Sequence, residues 1–141
     1  MKPEDFKVFF DNWAEASVEI NDTCKRVEKC DEEGEHVTYK MEINFPWPLW
    51  NRLMIITLYK RYDQENGEQI CFFSCMDNDA MKQKHFHDPQ EEKNFQLASQ
   101  DLGGWILSPI KDEAGNVTGT RLLFANQSNV GGNVPASIVN S

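Results

Sequence analysis

The stretch Leu53-Met54-Ile55-Ile56-Thr57-Leu58-Tyr59 decides the fold. In an extended chain successive side chains point to opposite faces. Ile55, Thr57 and Tyr59 then face one way, and Met54, Ile56 and Leu58 the other. Residues 70–76 repeat the arrangement, with Ile70, Phe72 and Met76 against Cys71, Phe73 and Cys75. The polar residues 63–68 between the two runs make a turn. A strand that is apolar on both sides needs cover on both sides. In an antiparallel sheet one side can meet a core helix and the other an internal cavity. The expectation is a sheet with a hollow beside it.

Moving toward the N-terminus, residues 36–45 alternate cleanly. Val37, Tyr39, Met41, Ile43 and Phe45 define an apolar face, and His36, Thr38, Lys40, Glu42 and Asn44 a wet one. Residues 24–30, with weaker alternation about Val27, pair with this strand as a hairpin across the polar turn 31–35. Before the hairpin, Pro3 suits a first helical position, and Glu4 and Asp5 favour a helix N-terminus. Phe6, Phe9, Phe10 and Trp13 follow at i, i+3, i+4 and i+7, the apolar face of a helix that covers the sheet.

Moving toward the C-terminus, residues 77–94 are polar and read as a loop. Residues 95–109 resume extended character around Gly103-Gly104, a pair that marks a bulge, a bend or a close approach. Residues 112–116 form a turn, 117–125 a last strand and 127–133 a Gly/Asn loop. Pro135 then opens a helix. The order is helix, hairpin, four more strands and the start of a helix, an α+β arrangement. The connection Phe45-Pro46-Trp47-Pro48-Leu49-Trp50-Asn51-Arg52 breaks the strand pattern, because two prolines cannot sit in a central strand. Its two tryptophans are expected to pack under something.

The 141 residues suit one domain with its own core, and 40% hydrophobic against 26% charged residues is ordinary globular usage. Asp and Glu number 23 against 14 Lys and Arg, a net charge of -9. Such a surface repels phosphate backbones, so nucleic acid is not an expected partner. It also disfavours standing attachment to anionic membrane and leaves neutral membrane open. No apolar run approaches a membrane span or a signal peptide, so the chain reads as cytoplasmic. The four cysteines read as free thiols, and the sequons at Asn21, Asn116 and Asn126 as coincidence.

The sequence assembles no nucleophile with a base and an orienting group, so no catalytic residues and no cofactor are expected. Cys71 and Cys75 with His85 and His87 evoke zinc. In a strand, however, residues four apart are separated by roughly 13 Å, too far for one metal, so no metal site is expected. Arg52 and Arg121 stand beside apolar runs. Each could meet a protein carboxylate, a ligand phosphate through its fork, or water by snorkelling, and the internal salt bridge is favoured. Trp47, Trp50, Phe72, Phe73, Trp105 and Phe124 are candidate linings of an acyl or sterol cavity.

The connection 45–52, followed by a strand ending Lys60-Arg61-Tyr62-Asp63, resembles the START domain, the StAR-related lipid-transfer family. Ser128-Asn129-Val130-Gly131-Gly132-Asn133-Val134-Pro135-Ala136-Ser137-Ile138-Val139-Asn140 is similar to the family's segment Asp-Pro-Gly-Gly-x-(Ile/Leu)-Pro-x-x-(Ile/Leu)-(Val/Ile)-Asn, which opens its C-terminal helix. Gly104-Trp105-Ile106-Leu107-Ser108-Pro109 and Trp13 also find counterparts. Asn51-Arg52 and Gly131-Gly132 look nearest to the phosphatidylcholine-transfer subgroup. Leu53 stands where the family has Asp, Met54 where it has an aromatic residue, and Trp50 where it has a small polar one.

The resemblance implies a helix-grip (START/Bet v 1-like) α+β fold: a curved antiparallel sheet with an N-terminal helix and the start of a C-terminal one. It implies that residues 1–141 are a single START-like domain, incomplete at both ends. It implies a non-enzymatic lipid carrier that makes transient membrane contact, with one phospholipid or sterol in an internal cavity. Arg52 is expected at the lipid phosphate, with Trp50, Met54, Ile56, Phe72, Trp105, Arg121 and Phe124 as the other lipid-binding candidates. The alternative is a lipid-sensing regulatory or interaction module with a degenerate pocket, part of a larger protein.

Overall fold

A computed structural model describes residues 2–74, 80, 84 and 95–139. Pro3 opens a 3-10 turn, Pro3–Phe6, which leads into helices α1, Lys7–Asp11, and α2, Trp13–Ile20. The expected single helix is thus broken at Asn12, where the backbone leaves helical geometry (φ -108°, ψ 35°). The apolar face is as read: Phe10 and Trp13 are buried, and Phe6 and Phe9 pack against the core.

Among the described residues seven strands follow: β1 Cys24–Glu33, β2 His36–Ile43, β3 Arg52–Asp63, β4 Glu68–Ser74, β5 Gln96–Leu97, β6 Ser99–Lys111 and β7 Val117–Asn129. They form one curved sheet in the order β1-β2-β3-β4-β6-β7, antiparallel throughout this path. β5 pairs in parallel with the start of β3. A short helix α3, Ala136–Val139, follows Pro135.

Register fixes the two faces. Tyr39 sits opposite Ile56, Leu58 opposite Phe73, Cys71 opposite Trp105 and Trp105 opposite Phe124, so these side chains share one face. The helices pack on that face: Trp13 contacts Tyr39 with ring centroids 5.0 Å apart, and Phe10 contacts Trp105 at 5.9 Å. The core lies here. Leu58 and Leu107 are completely buried, each such side chain contributing about 1.5–3 kcal/mol. β3 is buried on both faces, as its sequence predicts: Leu53 and Ile55 point outward and are still covered.

Four expectations are corrected. On the supposed wet face of β2, Thr38 and Glu42 are buried. Thr38 shares a hydrogen bond with Thr57 at 3.0 Å. Glu42 is satisfied by Lys25, Arg26 and Asn51, so polar partners on neighbouring segments make its burial tolerable. The strand after the long loop is split into β5 and β6, and β7 runs on through 127–129, the start of the loop expected over 127–133. Trp47 and Trp50 do not pack away: they are 93% and 60% exposed.

The glycine pair marks a close approach. A Cβ on Gly104 would lie 2.5 Å from the Cys71 carbonyl oxygen, so only glycine lets β6 lie this close to β4. Cys24, Cys30 and Cys71 are free thiols. Cys75, Met76, the expected loop 77–94 apart from Ala80 and Lys84, and the two loop histidines His85 and His87 lie outside the described residues. No described helix is long and apolar enough to cross a membrane.

Candidate functional site

The site grows from the connection between β2 and β3. Asn51 closes its neck: the side-chain oxygen accepts from the Phe45 N–H at 3.2 Å, and the side-chain nitrogen donates to Asn44 and to Glu42, both at 3.1 Å. Burial raises the Glu42 pKa, but the hydrogen bonds from Lys25 and Asn51 and the charges of Lys25 and Arg26 outweigh it and hold the carboxyl below its usual value. The clamp therefore works with Glu42 ionised.

Arg52 opens β3 next to this clamp and is 3% exposed. Its partners are not those expected, since it makes no salt bridge among the described residues. Three backbone carbonyls hold it. Nε donates to Val130 O at 2.6 Å, Nη2 to Gly131 O at 3.2 Å, and Nη1 to Trp50 O. The guanidinium also lies 4.4 Å from the centroid of the Phe45 ring, a cation–π contact. Burial pushes the Arg52 pKa down.

Gly131 and Gly132 deliver two of those carbonyls. Both have left-handed backbones, at φ 67° and 66°, a conformation glycine adopts without penalty. A Cβ at Gly131 would lie 2.1 Å from the Leu97 carbonyl oxygen. The chain after β7 can thus press against β5, and only there do Val130 O and Gly131 O reach Arg52. Asn129 Oδ1 accepts from the Gly131 N–H at 2.9 Å and fixes the turn.

Arg52 borders a hollow of about 300 Å³ on the face that carries the core. Met41, Met54, Ile56, Phe73 and Ala98 form its apolar wall, Trp13 of α2 lies on one side, and Asn126, Ser128 and Asn129 of β7 add polar groups. Beyond it the same face continues as an aromatic row. Phe73 meets Trp105 at 4.8 Å, and Trp105 stacks on Phe124 at 5.4 Å. Phe124 and Leu122 remain 48% and 56% exposed.

The structure therefore brings Arg52, Met54 and Ile56 together around one hollow, with Trp105 and Phe124 adjoining it. Phe72 and Arg121 lie on the opposite face of the sheet, and Trp50 offers its carbonyl to Arg52 while its ring faces solvent. Asn51, Ala98, Asn126 and Ser128 were not singled out from sequence. In the sequence Asn51 stands out only beside Arg52, Asn126 only as a sequon and Ser128 only at the head of the C-terminal motif, and nothing local marks Ala98. Among the described residues no group of three His, Cys, Asp or Glu side chains could hold a metal.

A curved antiparallel sheet gripping terminal helices, with a hollow on its helix face, defines a START-type helix-grip fold. No family model matches the chain, and no curated protein sequence does. Solved structures do. Human STARD10 superposes with a TM-score of 0.73 at 14% identity, over 99% of this chain and 51% of that one. The lipid transfer and protein localization domain of human StarD13 (DLC2) gives 0.66 at 11% identity, over 91% and 58%. A STAR-related lipid transfer protein from Xanthomonas axonopodis gives 0.66 at 15%, over 99% and 69%. The chain thus spans about half to two thirds of the length of these neighbours, and at such identities the likeness establishes the fold.

Proposed function

We propose that this domain is a non-catalytic lipid carrier that holds one glycerophospholipid with its phosphate at Arg52 and moves it between membranes. One observation carries the reading: a buried arginine with no carboxylate partner among the described residues stands at the rim of an apolar hollow. A guanidinium deprived of water and of a counter-ion is costly, and it matches a phosphate bidentately. The fold's structural neighbours include proteins described as lipid-transfer proteins, which supports the same reading.

The hollow is small for two acyl chains. At about 30 Å³ per water-sized volume it holds roughly ten such volumes, enough for a headgroup and the first methylenes. The chains then run along the row Phe73, Trp105 and Phe124 toward Leu122. Each methylene withdrawn from water there contributes about 0.8 kcal/mol. Transfer needs contact with a bilayer surface. Trp47 and Trp50, exposed on the connection that leads to Arg52, have the amphipathic rings that suit a membrane interface.

The test is native mass spectrometry of delipidated protein after incubation with phospholipid vesicles and re-isolation. A one-to-one lipid adduct that accessible lipid displaces is the expected result. Protein that returns without bound lipid refutes the reading.

A further inference from the structure

Resting on that carrier reading, we infer that the site selects lipids whose headgroup carries net negative charge over zwitterionic lipids. Charge balance around the hollow is the argument. Among the described residues Arg52 is its one charged lining group, and no Asp or Glu lines it. Glu42, the buried acid closest in the chain to the site, projects from the other face of the sheet, where Lys25, Arg26 and Asn51 already hold it.

A zwitterionic headgroup brings a phosphate and an ammonium together. The phosphate finds its donors: of the five N–H groups of Arg52 three meet carbonyls, leaving one on Nη1 and one on Nη2 open. The ammonium finds no counterpart among the described residues. It requires a carboxylate or an aromatic face. The described lining supplies no carboxylate, the Phe45 face is taken by Arg52 itself, and the Trp13 and Phe73 rings are packed against Tyr39 and Trp105. Its positive charge would sit near a guanidinium that no described carboxylate neutralises, and like charges repel. A headgroup with one net negative charge, such as a phosphodiester bearing a neutral alcohol, neutralises the site. Asn126, Ser128 and Asn129 on the adjoining wall are neutral hydrogen-bonding groups suited to hydroxyls.

The experiment is a competition. Delipidated protein is mixed with vesicles of equal parts phosphatidylcholine and phosphatidylglycerol with identical acyl chains, re-isolated and analysed by native mass spectrometry. Phosphatidylglycerol adducts are expected to exceed phosphatidylcholine adducts by roughly tenfold or more. Equal occupancy, or an excess of phosphatidylcholine, overturns the selectivity and leaves the carrier reading standing. No adduct with either lipid overturns the carrier reading itself. In Arg52→Gln the preference is expected to collapse toward equality, and a retained preference assigns selection to other residues and refutes the inference. Should that variant not fold, the wild-type competition still decides. A parallel arm with inorganic phosphate alone separates lipid from free anion. Phosphate is expected to leave the melting temperature unchanged at concentrations where phosphatidylglycerol raises it, and an equal shift would identify the ligand as the free ion and sink the lipid assignment.

Discussion

Replacing Gly131 by alanine tests whether the residues after β7 are held where they are in order to seat Arg52. An L-residue at φ 67° costs about 1–2 kcal/mol in backbone strain. A Cβ placed 2.1 Å from Leu97 O cannot be accommodated by a side-chain rotation, because the obstacle is backbone. The segment must withdraw from β5, taking Gly131 O and Val130 O away from a buried guanidinium. Each charge-assisted hydrogen bond lost there costs about 1.5–3 kcal/mol. With one such bond lost, the total is roughly 3–5 kcal/mol. Gly115→Ala is the matched control: it has φ 83° and nothing within 4 Å of an added Cβ, so it carries the strain alone. The entropy that alanine removes from the unfolded chain is common to both variants and cancels. Urea denaturation followed by tryptophan fluorescence should place Gly131→Ala about 1.5–3 kcal/mol below Gly115→Ala, roughly 5–10 °C in melting temperature for a domain of this size. Equal stability of the two variants would refute the seating argument.

Three further outcomes are expected. Glu42 has a lowered folded pKa, so its contribution is present above the unfolded carboxyl value of about 4.3 and is lost as pH falls through the folded value. Glu42→Gln should cost about 1.5–3 kcal/mol at neutral pH and should lose less stability than wild type between about pH 5 and pH 3, with parallel urea-midpoint profiles counting against it. Trp47→Ala should leave stability within about 0.5 kcal/mol, since the ring is 93% exposed, yet slow lipid exchange between vesicles roughly tenfold. An unchanged exchange rate would remove this ring from membrane contact. Burial pushes the Cys71 thiol up to about 12, so in native protein at mild alkaline pH an alkylating reagent should modify the partly exposed Cys30 well before Cys71, as peptide mapping would read. Early modification of Cys71 would contradict its burial.

What was legible in the sequence follows the range of the interactions. The alternation of 37–43 and the two-sided apolar run of 53–58 are local statements about a pleated chain, and the sheet follows from them. Phe10 and Trp13 announce their burial by helical spacing alone. The failures are non-local. Glu42 is buried because Lys25, Arg26 and Asn51 converge on it from two other segments. β5 has two residues, too few to carry a period, and exists because Gln96 N donates to Asn51 O and Ala98 N to Leu53 O. β7 continues through polar residues 126–129 because the ladder with β6 supplies its hydrogen bonds. Exposure of Trp47 and Trp50 contradicts the cost of wetting two indoles, and such a departure from the local rule is where function is to be sought. Arg52 was legible as a residue of interest and illegible in its partners, two of which are carbonyls from 78 and 79 positions away.

Those carbonyls couple two events. Val130 and Gly131 lie between β7 and α3, so one guanidinium fastens that connection to the start of β3 while also facing the hollow. An anion that meets the open N–H groups of Arg52 makes the guanidinium's burial less unfavourable, and the carbonyl contacts are then held more firmly. Binding and seating therefore share a coupling free energy, and coupling is reciprocal. If Gly131→Ala weakens affinity for phosphatidylglycerol by some factor, saturating lipid must stabilise the variant less than wild type by RT times the logarithm of that factor, at equal free lipid. A tenfold loss of affinity corresponds to about 1.4 kcal/mol less stabilisation. The two quantities are measured independently, by vesicle titration and by urea denaturation with and without lipid. An unchanged affinity in Gly131→Ala, alongside the full loss of stability, would mean that the carbonyls hold the fold together without any bearing on the site.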